Sequence, residues 1–327
     1  MNWTTIKVRL SDIGIHLALF QDDQTVLIDA GPADSVKIDL PKKLDELSVR
    51  EVDYLILTHG HTDHVGGAKW IKDRYGATVI AHPDAVEFIA DPEYELKNYW
   101  SRYLRFFADH FRLQFEEGYW KIRGRDSCEV DKKVREGDTL NIGSLRFKFL
   151  ETPGHIVGSL SIQEESLGIL CVGDTVQGLG PCSTTASYVP LYFDVRGYVK
   201  SLEKLSKVNV ERLLCAHPYK PLCKPVQSRD EAKRFIESSL NFVRTFDSLI
   251  LETISREGQG IAFTELGRRL SGKFNSEWPS IGLTVTLWSH IEWMLKRELV
   301  EVYETPSNIL IASRNTKPPS RFVHQPS

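Results

Sequence analysis

The sequence predicts an α/β fold: a sheet-rich first domain over residues 1–228, a smaller helical domain over 229–315, and a loose tail at 316–327. Three observations predict it. Short apolar runs alternate with turn signals through the first part, the rhythm of strands and tight connections. One long amphipathic stretch follows Ser228, where that rhythm stops. The length of 327 residues suits two domains of ordinary size.

The elements follow in order. Residues 13–20 and 25–29 read as strands joined by the polar turn Gln21-Asp22-Asp23-Gln24. Residues 36–47 read as a helix, followed by a strand at 54–58, a glycine-rich loop, a helix at 68–75 and a strand at 78–82. Between 92 and 135 the pattern changes to an insertion crowded with aromatics, from Tyr94, Tyr99 and Trp100 through Tyr103, Phe106 and Phe107 to Phe115, Tyr119 and Trp120. Their spacing predicts one or two helices with an aromatic face, either packed on the domain below or forming a cap over an apolar substrate pocket. Strands are predicted at 144–151, 159–164, 169–173 and 213–216, with a helix beginning at Val199. After Ser228, residues 231–257 read as one long helix or two in tandem, stopped by Gly258 and Gly260. Helices near 263–270 and 283–296, then strands at 299–303 and 308–313 around Thr305-Pro306-Ser307, give the helix, helix, wing outline of a winged-helix-like module.

Composition narrows the function classes. With 41% hydrophobic and 26% charged residues, the chain has the balance of an ordinary globular protein. A net charge of −3 argues against a molecule dominated by a nucleic-acid-binding face. No apolar run is long enough for a membrane span, and the start MNWTTIKVRLSD lacks the basic and apolar regions of a secretory signal. The five cysteines (128, 171, 182, 215 and 223) are odd in number and form no CxxC pair. They read as free thiols in a reducing compartment, which places the protein in the cytoplasm.

The chemistry is concentrated in Thr58-His59-Gly60-His61-Thr62-Asp63-His64, followed by Val65-Gly66-Gly67. Three imidazoles and a carboxylate this close together cannot all be satisfied by core packing. The mixture suits zinc, iron or manganese rather than calcium. A loop leaving a strand, with glycines to either side, can turn alternate side chains into one cavity: His59 and His61 towards one ion, Asp63 and His64 towards another. Two ions need more ligands, and three later strand ends supply candidates: Thr152-Pro153-Gly154-His155, Val172-Gly173-Asp174-Thr175 and Cys215-Ala216-His217-Pro218. Each is weak alone. The set carries the reading.

With these residues in place, the sequence resembles the metallo-β-lactamase superfamily, in its glyoxalase II-like and lactonase-like branch. The motif HxHxDH is complete as His59, His61, Asp63 and His64, and the resemblance spans about residues 10–220. It implies an αββα sandwich carrying the insertion at 92–135 as a helical cap. It also implies two divalent ions, zinc first, with iron or manganese as alternatives. By resemblance, His59, His61 and His155 hold the first ion; Asp63, His64 and His217 hold the second; Asp174 bridges the two. Asp29 matches the position that orients the histidine loop.

The expected reaction is hydrolysis of an ester, thioester or lactone bond in a small-molecule acyl substrate, by a hydroxide shared between the ions. Asp63 would orient the water and pass a proton to the leaving group. Tyr192 or Tyr188 would be a further donor to the developing oxyanion, or else merely pack. No basic C-terminal cluster of the kind a glutathione-thioester hydrolase needs is evident. The alternative is a metal-dependent endoribonuclease, with Arg268, Arg269, Lys273, Lys296 and Arg297 touching phosphates, although Glu265, Glu277, Glu292 and Glu298 dilute that charge. Nucleic acid is thus the less favoured partner, and the C-terminal module is expected to cover the pocket or build a homodimer. The remaining histidines, among them His16, His82, His110, His290 and His324, read as packing or surface residues.

Overall fold

The computed structural model describes residues 2–305, 308–314 and 323–324. Its strands form three sheets. The first has six strands in sequence order: β1 (Asn2–Val8), β2 (Ile15–Gln21), β3 (Thr25–Ile28), β4 (Tyr54–Ile56), β5 (Thr78–Ala81) and β6 (Lys132–Lys133). The second, also six-stranded, runs β7 (Thr139–Ile142), β8 (Leu145–Glu151), β9 (Leu160–Glu164), β10 (Ile169–Cys171), β11 (Arg212–Leu214) and β12 (Val226–Ser228). The third joins β13 (Ile261–Ala262), β14 (Val300–Thr305), β15 (Asn308–Ser313) and β16 (Val323–His324). The helices are α1 (Ala33–Glu46), α2 (Thr62–Val65), α3 (Ala68–Tyr75), α4 (Val86–Ala90), α5 (Ser101–Leu104), α6 (Asp109–Arg123), α7 (Val195–Leu205), α8 (Arg229–Ser255), α9 (Phe263–Phe274) and α10 (Ile281–Lys296), with a π-helical turn over Leu96–Trp100.

Strand periodicity explains the layers, because successive side chains point to opposite faces of a sheet. On β2, Ala18 and Phe20 face the second sheet and pack with Phe147, Phe149 and Ile162. Leu17 and Leu19 point the other way, into a core shared with Val36 and Leu40 of α1 and Ile71 of α3. The second sheet does the same: Leu170 and Leu213 pack outward with Tyr198 and Leu202 of α7 and Phe235 of α8. The result is helix, sheet, sheet, helix, as the resemblance implied. Burying each such aliphatic or aromatic side chain contributes roughly 1.5–3 kcal/mol, so the two inner faces carry much of the stability.

After β12 the chain turns helical. Ser228 and Glu231 form a capping box at the start of α8, the backbone N–H of Ser228 donating to Glu231 Oε2 at 2.9 Å. The stretch read as one helix or two is one, and its buried stripe runs through Phe235, Phe242, Phe246, Ile250 and Ile254. Helices α9 and α10 and the β14–β15 hairpin complete the winged-helix-like outline, with β13 pairing β15. Pro306 and Ser307 of the expected wing turn lie outside the described residues, as does the expected tail apart from 323–324.

One expectation needs correcting. The cysteines are not all free: Cys182 and Cys223 form a disulfide, and Cys128, Cys171 and Cys215 remain buried thiols. The partners are 41 residues apart, and only the tertiary fold lays the segment after β10 beside the segment after β11, where Cys182 N–H donates to the Pro218 carbonyl. Two of the groups offered as phosphate contacts carry ion pairs at the surface. Arg268 and Arg269 both pair with Glu265, and Arg269 reaches Glu257 as well. No described helix is long and apolar enough to cross a membrane.

Candidate metal centre

The site stands where strands end. Asp29 follows β3, His59 to His64 follow β4, His155 follows β8, Asp174 follows β10 and His217 follows β11, so loops at the carboxyl ends of both sheets converge on one cavity. Backbone chemistry shapes these loops. Asp29 takes a left-handed conformation, φ 67°, which a carboxylate residue tolerates when its side chain bonds locally. Its Oδ1 accepts the Thr58 N–H at 2.8 Å and its Oδ2 lies 2.9 Å from His64 Nδ1. Gly173, at φ 50°, is needed for a second reason: a Cβ there would stand 2.6 Å from Thr58 Oγ1.

The ring nitrogens sort into two roles. His59 Nδ1–H is placed to donate to Thr58 Oγ1 (3.0 Å), His155 Nδ1–H to the Leu191 carbonyl (2.6 Å) and His217 Nδ1–H to the Gly14 carbonyl (2.7 Å), while His64 Nδ1 faces Asp29. Anchoring Nδ1 directs Nε2 of these four rings inward. His61 is turned the other way, its Nδ1 lying 3.2 Å from His59 Nε2. That spacing matches the roughly 3.3 Å expected between two nitrogens on a tetrahedral zinc with bonds of about 2.05 Å. Among the described residues, donor atoms close enough to share an ion form three groups: His59, His61 and His155; His59, His64 and Asp174; and Asp63, His64 and His217. Asp174 Oδ2 sits among them, 3.5 Å from His64 Nε2 and 3.6 Å from both His155 Nε2 and His217 Nε2.

Such a cluster makes poor sense as packing. His64 Nε2, His155 Nε2 and Asp174 Oδ1 are buried without a hydrogen-bond partner. Buried polar atoms left unpaired are costly, and cations here would satisfy them together, so the donor set fits two divalent ions.

Electrostatics divides the histidines. Burial, then repulsion between neighbouring rings, holds His59 and His61 well below the ordinary imidazole range, and burial also lowers His155. Burial opposes protonation of His64 and His217 too, but there it is outweighed: Asp29, Asp174 and Asp63 raise His64, and Asp174 and Asp63 raise His217. Burial would push Asp63 up, yet His64 and His217 hold it at about 2.

A cavity of about 200 Å³ opens on the cluster, walled in part by Asp63, Glu95, Trp100, Asp174 and Tyr219. Beside it lies a larger one, about 500 Å³, lined by Tyr94, Tyr99, Tyr103, Ile156 and Phe193. The Phe193 ring stands between them, its centroid 5.9 Å from that of His61.

Of the residues singled out from sequence, the five histidines, Asp63, Asp174 and Asp29 come together. Tyr192 does not join them. It is fully buried, and its hydroxyl meets His290 Nε2 at 2.7 Å, so it is not available to a substrate and the donor role is withdrawn. Tyr188 lies at the surface, 38% exposed. Two cavity residues escaped the sequence reading. Tyr219, buried beside the Asp174 carboxylate, stands two residues beyond His217, which was a usable signal. Glu95 is a buried acid inside the aromatic insertion, only 2% exposed, with Oε1 3.5 Å from His61 Nε2.

Burial, assisted by Asp63, pushes the Glu95 carboxyl up to about 8. A carboxyl whose folded pKa lies above its unfolded value of about 4.3 costs stability as pH rises from that value through 8. In chelated protein, Glu95→Gln is therefore expected to melt progressively higher than wild type from pH 5 to pH 9, by the equivalent of a few kcal/mol, with no difference near pH 4. Parallel melting curves across that range would refute it.

The chain is similar to known proteins in sequence and in fold. A family model described as the metallo-beta-lactamase superfamily matches residues 16–217. A hydroxyacylglutathione hydrolase of Bradyrhizobium sp. (strain ORS 278) is 28% identical over 166 residues, 50% of this chain and 48% of that protein. Another, of Chelativorans sp. (strain BNC1), is 24% identical over 227 residues, 66% of each. The chain thus spans about half to two thirds of the length of these relatives. A solved metallo-beta-lactamase family protein from Thermus thermophilus superposes with a TM-score of 0.72 at 19% identity, over 95% of this chain and 98% of that one. A beta-lactamase domain protein from Burkholderia ambifaria gives 0.68 at 19% identity, over 95% and 90%. At such identities the likeness is one of fold, and its coverage takes in the C-terminal helices.

Proposed function

The chain belongs to the metallo-β-lactamase superfamily, and from that premise we propose that it is a metal-dependent hydrolase cleaving an ester, thioester or lactone bond. The observation that carries this reading is the convergence of five histidines and two aspartates into overlapping donor groups, with Asp174 Oδ2 within 3.6 Å of His64, His155 and His217. His59, His61 and His155 would hold one ion; Asp63, His64 and His217 the other; Asp174 would contact both. Two divalent ions there, zinc or alternatively iron or manganese, would supply positive charge to polarise a carbonyl and acidify water.

The chain's own residues do the rest. Asp63 is the most accessible of the set, its side chain 18% exposed, so it is placed to orient water and hand a proton to the leaving group. The aromatic insertion, with Trp100 on the inner wall, keeps bulk water away. Tyr94, Tyr99, Tyr103 and Phe193 offer the neighbouring cavity to an apolar or aryl acyl group. The two relatives from Bradyrhizobium and Chelativorans are named as hydrolases of a hydroxyacylglutathione, which agrees with the bond class without setting the substrate.

A panel of acyl thioesters, lactones, aryl esters and single-stranded RNA, offered to zinc-loaded and to chelated protein, tests the reading. Turnover of a carbon ester, lost on chelation and regained with zinc, is the expected result. Cleavage of RNA alone would overturn it.

The second ion should also be the more sensitive to acid. Its histidines are the two whose protonated form the carboxylates favour, so binding there must expel protons, whereas His59, His61 and His155 are already neutral. Zinc content after equilibrium dialysis is expected to fall from two towards one per chain as pH drops below neutrality. Simultaneous loss of both ions would contradict the assignment.

A further inference from the structure

The C-terminal helices reach the metal centre in part through a short segment over His155. Residues 190–192 cross over His155, and the carbonyl of Leu191 takes the His155 Nδ1–H at 2.6 Å. That peptide is held on both sides. Gln177 clamps it as a pair, its Nε2 donating to the Leu191 carbonyl at 2.6 Å and its Oε1 accepting the Leu191 N–H at 2.7 Å. The flanking residues are tied to α10. Thr286 Oγ1 donates to the Pro190 carbonyl at 2.7 Å, and the Tyr192 hydroxyl meets His290 Nε2 at 2.7 Å.

Thr286 and His290 are four residues apart, so they share one face of α10. Both are fully buried. Asp247 of α8 completes the chain of contacts, with Oδ1 2.5 Å from His290 Nδ1. A carboxylate at Nδ1 keeps the proton there and leaves Nε2 as an acceptor, which obliges Tyr192 to donate. The Tyr192 ring is further fixed by stacking on Tyr198, centroids 4.3 Å apart. The bonds that tie this segment to α10 are therefore directional and shielded from water.

We propose that α10 is a positioning element for the metal centre: Thr286 and His290 hold residues 190–192 so that the Leu191 carbonyl fixes the ring of His155. The inference rests on the reading of His155 as a metal ligand. It gives the winged-helix-like part a task inside its own chain, delivered through side chains that touch neither substrate nor ion. A ligating histidine whose outer partner is disturbed commonly loses 10–100-fold in metal affinity.

The test uses the double variant Thr286→Val/Tyr192→Phe in the full chain. Both changes delete one oxygen and keep the shape, so the fold should survive. Ile291→Val, a buried truncation on the same helix, controls for general loosening. Cobalt(II) affinity by chelator competition, the visible spectrum of the cobalt protein, and the Tm of the metal-free protein are measured for each. The expected result is at least about tenfold weaker uptake of one of two cobalt ions with an altered spectrum, while Ile291→Val binds both as wild type does. Affinities within about twofold of wild type and an unchanged spectrum would overturn the proposal, as would an equal loss in Ile291→Val. Wild-type protein that takes up no cobalt would reject the metal reading itself, a distinguishable result.

Discussion

Asp174→Ala is expected to abolish measurable hydrolysis, lowering kcat by at least about 10³-fold, and to reduce the metal content below two ions per chain. The magnitude follows from position. Losing one preorganised electrostatic contact typically costs about 10²–10³ in turnover, and Asp174 is more than one contact. Its Oδ2 stands within 3.6 Å of His64, His155 and His217 together, so both proposed ion positions lose a ligand at once. The same carboxylate is a leading reason that His64 and His217 favour protons. Its removal therefore eases deprotonation of those rings while taking away the charge that holds the ions. Elemental analysis after dialysis, run beside turnover on the preferred ester, separates the two effects. Full metal content with turnover within about tenfold of wild type would remove Asp174 from the centre.

The largest stability effect is expected at Gly154. Its φ of 129° is rare for residues with a side chain, and a Cβ there would stand 2.1 Å from the backbone nitrogen of Tyr198 and 2.3 Å from its Cα. A flexible side chain could move aside; the first turn of α7 cannot. The Gly154 carbonyl also accepts the N–H groups of Phe193 and Asp194 at 2.9 and 3.0 Å, so displacement spreads to the segment over the site. Gly154→Ala should cost more than about 4 kcal/mol, in the exceptional range for a single substitution. Gly76→Ala is the contrast, since φ is 74° but nothing lies within 4 Å. It should cost only roughly 1–2 kcal/mol. Urea unfolding of both variants checks the pair, and similar losses would show that the close approach at Gly154 is not decisive.

What could be read in the sequence was what depends on local spacing. Helix α3 falls on residues 68–75 as predicted, since its apolar spacing and the glycines to either side leave one solution. The histidine loop was legible because three imidazoles in six residues have few other uses. Strand β1 was not predicted, although Ile6 and Val8 alternate with exposed Lys7, because a strand with no turn signal before it declares itself only by pairing with β2. The short strands β6 and β12 depend wholly on their partners. The disulfide failed for the same reason: a contact between distant loops leaves no trace in spacing. Tyr192 was misplaced because a strand-like or loop segment says which residues lie near a site but not which way each side chain turns. Glu95 escaped because aromatic crowding predicted an apolar cap, and an acid within it, like its neighbour Glu93, reads as an exposed residue until its burial is seen.

The proposed ligands come from both ends of a long stretch of chain, and this bears on the protein during its own synthesis. His59, His61, Asp63 and His64 lie in the first sheet's half; His155, Asp174 and His217 lie in the second's. A ribosome adding roughly 5–20 residues per second makes the early donors seconds before the late ones. Until His217 has left the exit tunnel, the nascent polypeptide holds only part of the proposed donor set. Assembly of the whole donor set is therefore a mark of a finished sandwich, and it comes only after translation has passed well into the C-terminal helices.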